Sequence, residues 1–158
     1  MKRQFTLAAC IRANRLGEGQ MLNLQGAGFT CIYDFGDLFD VVSCRHYLRQ
    51  IGDEKTSSFK PSIRLRIDDA FDLDRLVAEN ISFKAGTLIL ALPRQEISPI
   101  IIESAKRIAE RVFVEVYAEA MVLRSRQFKA DGFVIRGNEA GGICSSLSNP
   151  ALLRSVRE

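Results

Sequence analysis

The feature that most constrains the fold is a regular alternation of apolar, β-rich runs with segments of helical character. The apolar runs lie at residues 5–11, 29–35, 62–68, 87–93, 112–118 and 132–137. Strands and helices in alternation predict a parallel sheet with helices outside it, because parallel neighbours are joined by a crossover connection. Most of the runs are continuously apolar, as expected of strands that are buried on both faces. The pattern predicts an α/β fold of six β/α units and leaves two architectures open: a doubly wound open sheet and a (β/α) barrel.

Capping residues mark the start of several predicted helices. The predicted helical segments are residues 19–28, 37–52, 72–80, 98–111, 119–130 and 149–158. Asp37 is the expected N-cap of the second segment. Ser98 precedes Pro99, and Asn149 precedes Pro150, so each pair predicts an N-cap followed by proline at the first helical position. These signals predict short connections between strand and helix.

Composition and charge exclude several classes of protein. The chain has 158 residues, 47% of them hydrophobic, which is enough for one domain with a sizeable core. Its formal charge is only +3 and is scattered, so no nucleic-acid partner is expected. The 4 cysteines form no CxxC pair, which predicts neither a zinc site nor a secreted disulfide framework. No apolar run approaches the ~18 residues of a membrane span, so we expect a cytoplasmic protein without a membrane partner.

His46 and the arginines of the third predicted strand lie within predicted elements, and their spacing does not identify a function. His46 lies in the second predicted helix without a carboxylate or serine at a catalytic spacing, which favours a surface or partly packed histidine. Arg64 and Arg66 share one face of the third predicted strand. On an outward-facing strand both would be solvated; at the mouth of a barrel, Arg66 and Asp68 would face a ligand.

The strongest candidate site follows the sixth predicted strand, in the sequence "NEAGGICSS". Gly141 and Gly142 offer backbone N–H groups without bulky side chains, so an anionic or flat ligand can approach closely. Loops at the carboxyl ends of parallel strands are where α/β folds bind ligands, and Glu139 is a carboxylate candidate there. A tight loop that needs glycine only for its backbone is the alternative interpretation.

A longer motif surrounds this glycine pair. In the segment "KADGFVIRGNEAGG" the relevant positions are Ala130, Asp131, Gly132, Gly137, Glu139, Ala140, Gly141 and Gly142. At these positions the segment resembles the nitronate monooxygenase (formerly 2-nitropropane dioxygenase) family of FMN-dependent TIM barrels. The preceding "VFVEVYAEAMVLRSRQFKADG" is similar to the fifth strand and helix of that family, with Glu119 and Ala120 in register. Residues 112–142 carry the sharp motifs, and the alternation of six units extends the resemblance over nearly the whole chain.

The resemblance implies a partial (β/α)8 TIM barrel of six β/α units with parallel strands. Residues 1–158 would then be a single incomplete barrel domain, the N-terminal part of a longer barrel or polypeptide. It also implies FMN as cofactor, with Glu139, Ala140, Gly141 and Gly142 as cofactor-binding residues. Similar flavin barrels occur within polyketide and fatty acid synthases, so the expected partners are a small-molecule or acyl substrate and other domains of a larger polypeptide.

One departure from the family changes the expected chemistry. The position after the glycine pair is histidine in the family, where it is the proposed catalytic base, and it is Ile143 here. Because isoleucine cannot move a proton, no catalytic residue is assigned. The resemblance therefore implies a flavin reductase or a changed substrate rather than nitronate oxygenation. The alternative is a catalytically inactive, barrel-derived domain with a structural or docking role.

Overall fold

The computed structural model describes residues 8–12, 30–35, 62–67, 70–78, 84–92, 96–137 and 145–157. The strands are β1 (Ala8–Arg12), β2 (Thr30–Asp34), β3 (Ser62–Arg66), β4 (Ala85–Ala91), β5 (Ala109–Val116) and β6 (Gly132–Ile135). The helices in these ranges are α1 (Ala70–Ala78), α2 (Pro99–Ile108), α3 (Glu119–Gln127) and α4 (Asn149–Arg157). Each helix follows a strand, which confirms the predicted α/β class. The predicted helical segments 19–28 and 37–52 lie outside the described residues.

The strands lie side by side in chain order, from β1 to β6, and every neighbouring pair is parallel. A doubly wound sheet requires the strand order to reverse at a switch point, and the six described strands contain no such reversal. Right-handed crossovers that always advance in one direction place their helices on one face of the sheet. The arrangement is compatible with part of an α/β barrel.

One face of the sheet carries the hydrophobic core. Alternate residues of the central strands are buried there and pack against α1 and α2. The core residues of these elements include Ile63, Leu65, Leu88, Leu90, Val112, Val114, Leu73, Leu76, Ile101, Ile102 and Ala105. Full burial of such a side chain contributes about 1.5–3 kcal/mol, so this face dominates the stability of the fold. No helix within the described ranges is long and apolar enough to cross a bilayer.

The boundary between α2 and β5 differs from the prediction. The sequence predicts a helix over residues 98–111, but α2 ends at Ile108 and β5 begins at Ala109. Ala109 has extended backbone angles and pairs with Ala85, and Arg111 pairs with Thr87. Hydrogen bonding to β4 therefore outweighs the helical propensity of these residues.

The N-cap of α2 agrees with the prediction. Ser98 Oγ accepts a hydrogen bond from the Ile101 backbone N–H at 3.4 Å, and Pro99 occupies the first helical position. The hydroxyl thus satisfies one of the N–H groups that have no partner within the helix.

The N-cap predicted for α4 is wrong by one residue. The helix begins at Asn149, and Ser148 Oγ accepts from the Ala151 N–H at 3.4 Å. The Asn149 side chain instead accepts a hydrogen bond from the Gly137 N–H through Oδ1. Asn149 therefore ties α4 to the chain that leaves β6.

Candidate functional site

Charged side chains from β2, β3, β5 and the end of β6 meet on the face opposite the core. Asp34 ends β2, Arg64 lies in β3, Glu115 lies near the end of β5, and Arg136 follows β6 directly. Each is displaced by one residue from buried or partly buried positions that face α1, α2 and the core, so its side chain lies on the other face. We call these four residues the charged cluster.

Arg64 is the centre of the charged cluster. Its Nε donates to Oε1 of Glu115 and its Nη2 donates to Oε2 at 3.0 Å, while Nη1 donates to Asp34 Oδ1 at 2.8 Å. The Arg64 side chain is only 11% exposed. The hydrogen bonds that Arg64 donates to Glu115 raise the pKa of Arg64 above its usual range, and the contact with Asp34 adds to this, against the opposing effect of burial. A bidentate, charge-assisted pair is among the strongest polar contacts, so Arg64 is a fixed cation.

Arg136 joins the charged cluster from the far side of Glu115. Its Nη1 donates to Glu115 Oε2 at 3.1 Å, so that one carboxylate oxygen accepts from both arginines. The cluster contains two guanidinium groups and two carboxylates, and these charges compensate each other. Mutual compensation matters because an unpaired charge in such a buried position costs several kcal/mol, roughly 3–5 when one partner of a buried pair is removed.

The backbone around Arg136 is tied on both sides. The Arg136 N–H donates to the Val116 carbonyl at 2.9 Å, which extends the pairing of β6 with β5 by one residue. The Ser145 N–H donates to the Arg136 carbonyl at 2.9 Å, and Gly137 is hydrogen-bonded to Asn149. The chain therefore leaves the sheet after Gly137 and is again in hydrogen-bond contact with it at Ser145.

The predicted cofactor-binding residues lie between these two points. Glu139, Ala140, Gly141 and Gly142, together with Ile143, lie outside the described residues. The described structure fixes only the positions where this segment begins and ends, at the carboxyl end of β6 beside the charged cluster. His46 and Asp68 also lie outside the described residues.

The sequence left two interpretations open for the arginines of β3, and the structure tests the solvated one. For Arg64 the solvated interpretation is wrong, because its guanidinium is largely buried and paired with Glu115 and Asp34. Arg66 is half-buried at the carboxyl end of the same strand and lies on the same face. Partners from other strands, Asp34 and Glu115, therefore decide what the alternation of β3 leaves open.

Other residues that carry the family resemblance lie away from the charged cluster. Asp131 Oδ2 accepts from the Val112 N–H at 2.8 Å, where it joins the turn before β6 to β5 at the amino-terminal side of β6. Glu119 and Ala120 are exposed in the first turn of α3. Asp131 therefore has a structural role, because it holds the turn before β6 and because residues at that end of parallel strands stabilise the fold rather than bind ligands.

A shallow cleft of about 270 Å³ lies on the helix side of the sheet, near the ends of β4 and β5. Its lining includes Ile97, Tyr117 and Met121, and an ion pair of 2.6 Å between Arg124 and Glu96 borders it. Both charged partners are substantially exposed. The cleft lacks the convergent, buried polar groups that fix a ligand in most binding pockets.

Sequence reasoning missed three members of the charged cluster, although a signal for them exists. Asp34, Glu115 and Arg136 each interrupt or end an apolar run, as Arg64 does in β3. Their signs alternate through β2, β3, β5 and the end of β6. Charges of opposite sign within several otherwise apolar strands indicate groups that pair across the sheet.

Cys31 carries a buried thiol, but it lies in β2 and is not a member of the charged cluster. This burial raises the pKa of its thiol. A thiol that stays protonated is a poor nucleophile, so Cys31 serves as a small packing residue. Among the residues that the structure describes, no three His, Cys, Asp or Glu side chains are arranged to hold a metal ion.

Comparison with known protein families and with curated proteins finds no match for this chain. The features that bear on its function are the parallel sheet, the charged cluster and the resemblance of residues 112–142.

Proposed function

We propose that the chain is part of a (β/α)8 barrel domain that binds FMN and acts as an oxidoreductase, resembling nitronate monooxygenase. The observation that carries the proposal is the order of the sheet, in which six parallel strands follow one another in chain order. In (β/α)8 barrels the strands have this order, and the ligand binds at their carboxyl ends. The segment with the glycine pair follows β6 at that end.

The contact between Arg64 and Glu115 supports a barrel. These residues belong to β3 and β5, and β4 lies between them. The backbones of two strands separated by a third are about 9–10 Å apart, from two inter-strand spacings of about 4.8 Å. Two side chains meet over the middle strand most readily on a concave face, where they converge. The interior of a barrel is such a face and is filled by side chains.

The proposed fit to FMN rests on the place of the glycine pair in the sequence, after β6, rather than on the charged cluster. Arg64 and Arg136 are held by Glu115, and Arg64 also by Asp34, so the cluster is a compensated network and not a ready phosphate site. FMN would supply the redox chemistry when bound. Glu139, Ala140, Gly141 and Gly142 would bind and orient it, since glycine N–H groups allow close approach of a flat or anionic group.

Ile143 and the kind of polypeptide in which similar barrels occur narrow the expected reaction and substrate. Ile143 offers no proton-transfer group, which favours a reductase or a changed substrate over nitronate oxygenation. The substrate would be a small molecule or an acyl group, presented within a larger cytoplasmic polypeptide of the polyketide or fatty acid synthase type. Other domains of that polypeptide would be the partners.

A second candidate function is a catalytically inactive, barrel-derived structural or docking domain. The observation that favours it is the charged cluster itself, in which each described carboxylate is hydrogen-bonded to a guanidinium group. A self-contained network of this kind stabilises a geometry without requiring a ligand. Ile143 in place of a proton-transfer residue is consistent with the same interpretation.

Flavin spectroscopy distinguishes the two functions. The full polypeptide is purified and scanned at flavin wavelengths, then titrated with FMN. We expect bound flavin, and we expect Gly142→Leu to weaken FMN affinity by about tenfold or more, because a side chain there blocks the close approach. Ser146→Leu is the matched control, since Ser146 is exposed just beyond the segment. Absence of bound flavin in the wild-type polypeptide, even with FMN supplied, would overturn the enzymatic proposal in favour of the structural one.

A further inference from the structure

Glu115 has more partners than an ordinary strand residue needs. It is 9% exposed and accepts three hydrogen bonds, two from Arg64 and one from Arg136. Buried ion pairs are weak contributors to stability, because apolar side chains of similar volume are often as stabilising or more so. What an ion pair adds over apolar packing is direction: it fixes one group relative to another.

The group that Glu115 fixes from the β6 side is Arg136. Arg136 is held by its side chain to Glu115, by its N–H to Val116 and by its carbonyl to Ser145. The first contact belongs to the charged cluster, and the last belongs to the point where the chain returns from residues 138–144. Arg136 therefore connects the interior of the sheet to both ends of that segment, since Gly137 follows it directly.

We propose that Glu115 is a positioning residue, which acts through Arg136 to fix Gly137 and Ser145, the residues that flank positions 138–144, at the carboxyl edge of the sheet. Arg64 orients the Glu115 carboxylate by its bidentate contact, and Glu115 in turn orients Arg136. The identity of the ligand rests on the proposed FMN function. The mechanical part, that Glu115 and Arg136 hold Gly137 and Ser145 in place, does not depend on it.

Amide hydrogen exchange tests the mechanical part without a ligand. In Arg136→Met the alkyl chain remains while the contact with Glu115 is lost, and the pairs of Arg64 with Glu115 and Asp34 stay intact. We expect exchange of the Ser145 N–H, measured by NMR on the full polypeptide, to accelerate by about tenfold or more, because local opening governs exchange of such an amide. The Asp131 N–H, bonded to the Val112 carbonyl at 2.8 Å, is the internal control and should keep its protection.

Arg124→Met is the matched control variant. It makes the same chemical change at an exposed arginine whose ion-pair partner is Glu96. We expect Ser145 exchange to remain at the wild-type rate in this variant. Equal acceleration in both variants would overturn the proposal, since it would show that loss of any arginine loosens the chain.

A second substitution tests whether Glu115 acts through Arg136. Glu115→Gln alone should accelerate Ser145 exchange, because a neutral amide accepts only at its oxygen and no longer offers a charged acceptor to Arg136. Added to Arg136→Met, it should accelerate exchange no further, because both changes break the same contact. If Arg136→Met leaves Ser145 exchange unchanged, or if the two substitutions act additively, Glu115 has no positioning role through Arg136.

FMN titration of the same variants separates the two proposals. We expect Arg136→Met to raise the dissociation constant of FMN by about fivefold or more and Arg124→Met to leave it unchanged, since a less ordered segment binds with a larger entropic cost. If the wild-type polypeptide binds no FMN, the proposed function fails and the exchange experiment alone decides the positioning role. If FMN binds to Arg136→Met with wild-type affinity, Glu115 and Arg136 have no role in FMN binding, while the proposed function stands and the exchange experiment decides the mechanical part.

Discussion

The two faces of the same sheet are built by different physics. On one face, side chains such as Leu88 and Val112 are buried against helices by non-directional apolar packing. On the other face, Arg64 and Glu115 are held by hydrogen bonds of defined geometry between strands that are not neighbours. The core face tolerates an exchange of one apolar residue for another of similar volume, whereas the charged face depends on particular atoms. Stability is therefore concentrated on one face and positional precision on the other.

The largest expected effect of a single substitution is on the core face. Leu88 is fully buried, so Leu88→Ala removes apolar contacts and leaves a cavity. We expect the free energy of unfolding, measured by urea denaturation, to fall by about 3–4 kcal/mol. Leu123, which is 59% exposed on α3, is the control, and Leu123→Ala should change stability by less than about 0.5 kcal/mol. Similar losses in both variants would contradict the assignment of the core to this face.

The next effect concerns the centre of the charged cluster. Arg64→Met removes the partner that holds both Glu115 and Asp34, so two carboxylates lose their main cation. We expect a loss of about 2–3 kcal/mol in urea denaturation, less than for a buried pair that is broken completely, because Glu115 keeps its contact with Arg136.

A compensating substitution then sharpens the difference between the faces. Adding Asp34→Asn to Arg64→Met should recover part of the loss, because it removes the carboxylate charge that Arg64 compensated, while Glu115 keeps its contact with Arg136. Without any recovery, the cost would have to come from lost packing of the arginine side chain, and the two faces would not differ in kind.

The smallest effect is expected for an ion pair of similar length in a different environment. Arg124 and Glu96 lie 2.6 Å apart, but their side chains are 45% and 81% exposed. Arg124→Met should change the free energy of unfolding by less than about 0.5 kcal/mol, because solvent screens an exposed pair. Comparison with Arg64→Met, measured under the same conditions, isolates the effect of burial. A loss as large as that of Arg64→Met would contradict the role given to burial.

Local patterns were sufficient for much of the fold. The alternation of apolar and helical segments predicted the α/β class and the six strands, and the hydroxyl before Pro99 predicted the cap of α2. The apolar alternation at Ile63 and Leu65 predicted which side of β3 is buried. These features depend on residues within one or two turns of each other, so the sequence alone contains the necessary information.

Features that depend on distant residues were not predicted. The start of β5 at Ala109 is set by pairing with β4, and the role of Asn149 is set by Gly137, which lies 12 residues earlier. Arg64 reaches Glu115 across a sequence separation of 51 residues. A charge pattern indicates that such groups need partners, but it does not identify the partners that the fold brings within reach.

The sequence by itself determined that this chain forms parallel strands with helices between them, because the periodicity of apolar residues fixes which side chains must leave water. Only the tertiary structure decided that Arg64 is a buried, paired cation rather than a solvated one, and that Glu115 and Arg136 meet beside the ends of the segment with the glycine pair. Hydrophobic burial is non-directional and can be read from composition and period. Hydrogen-bonded charge pairs require two groups at one distance and one angle, and only the folded chain supplies that geometry.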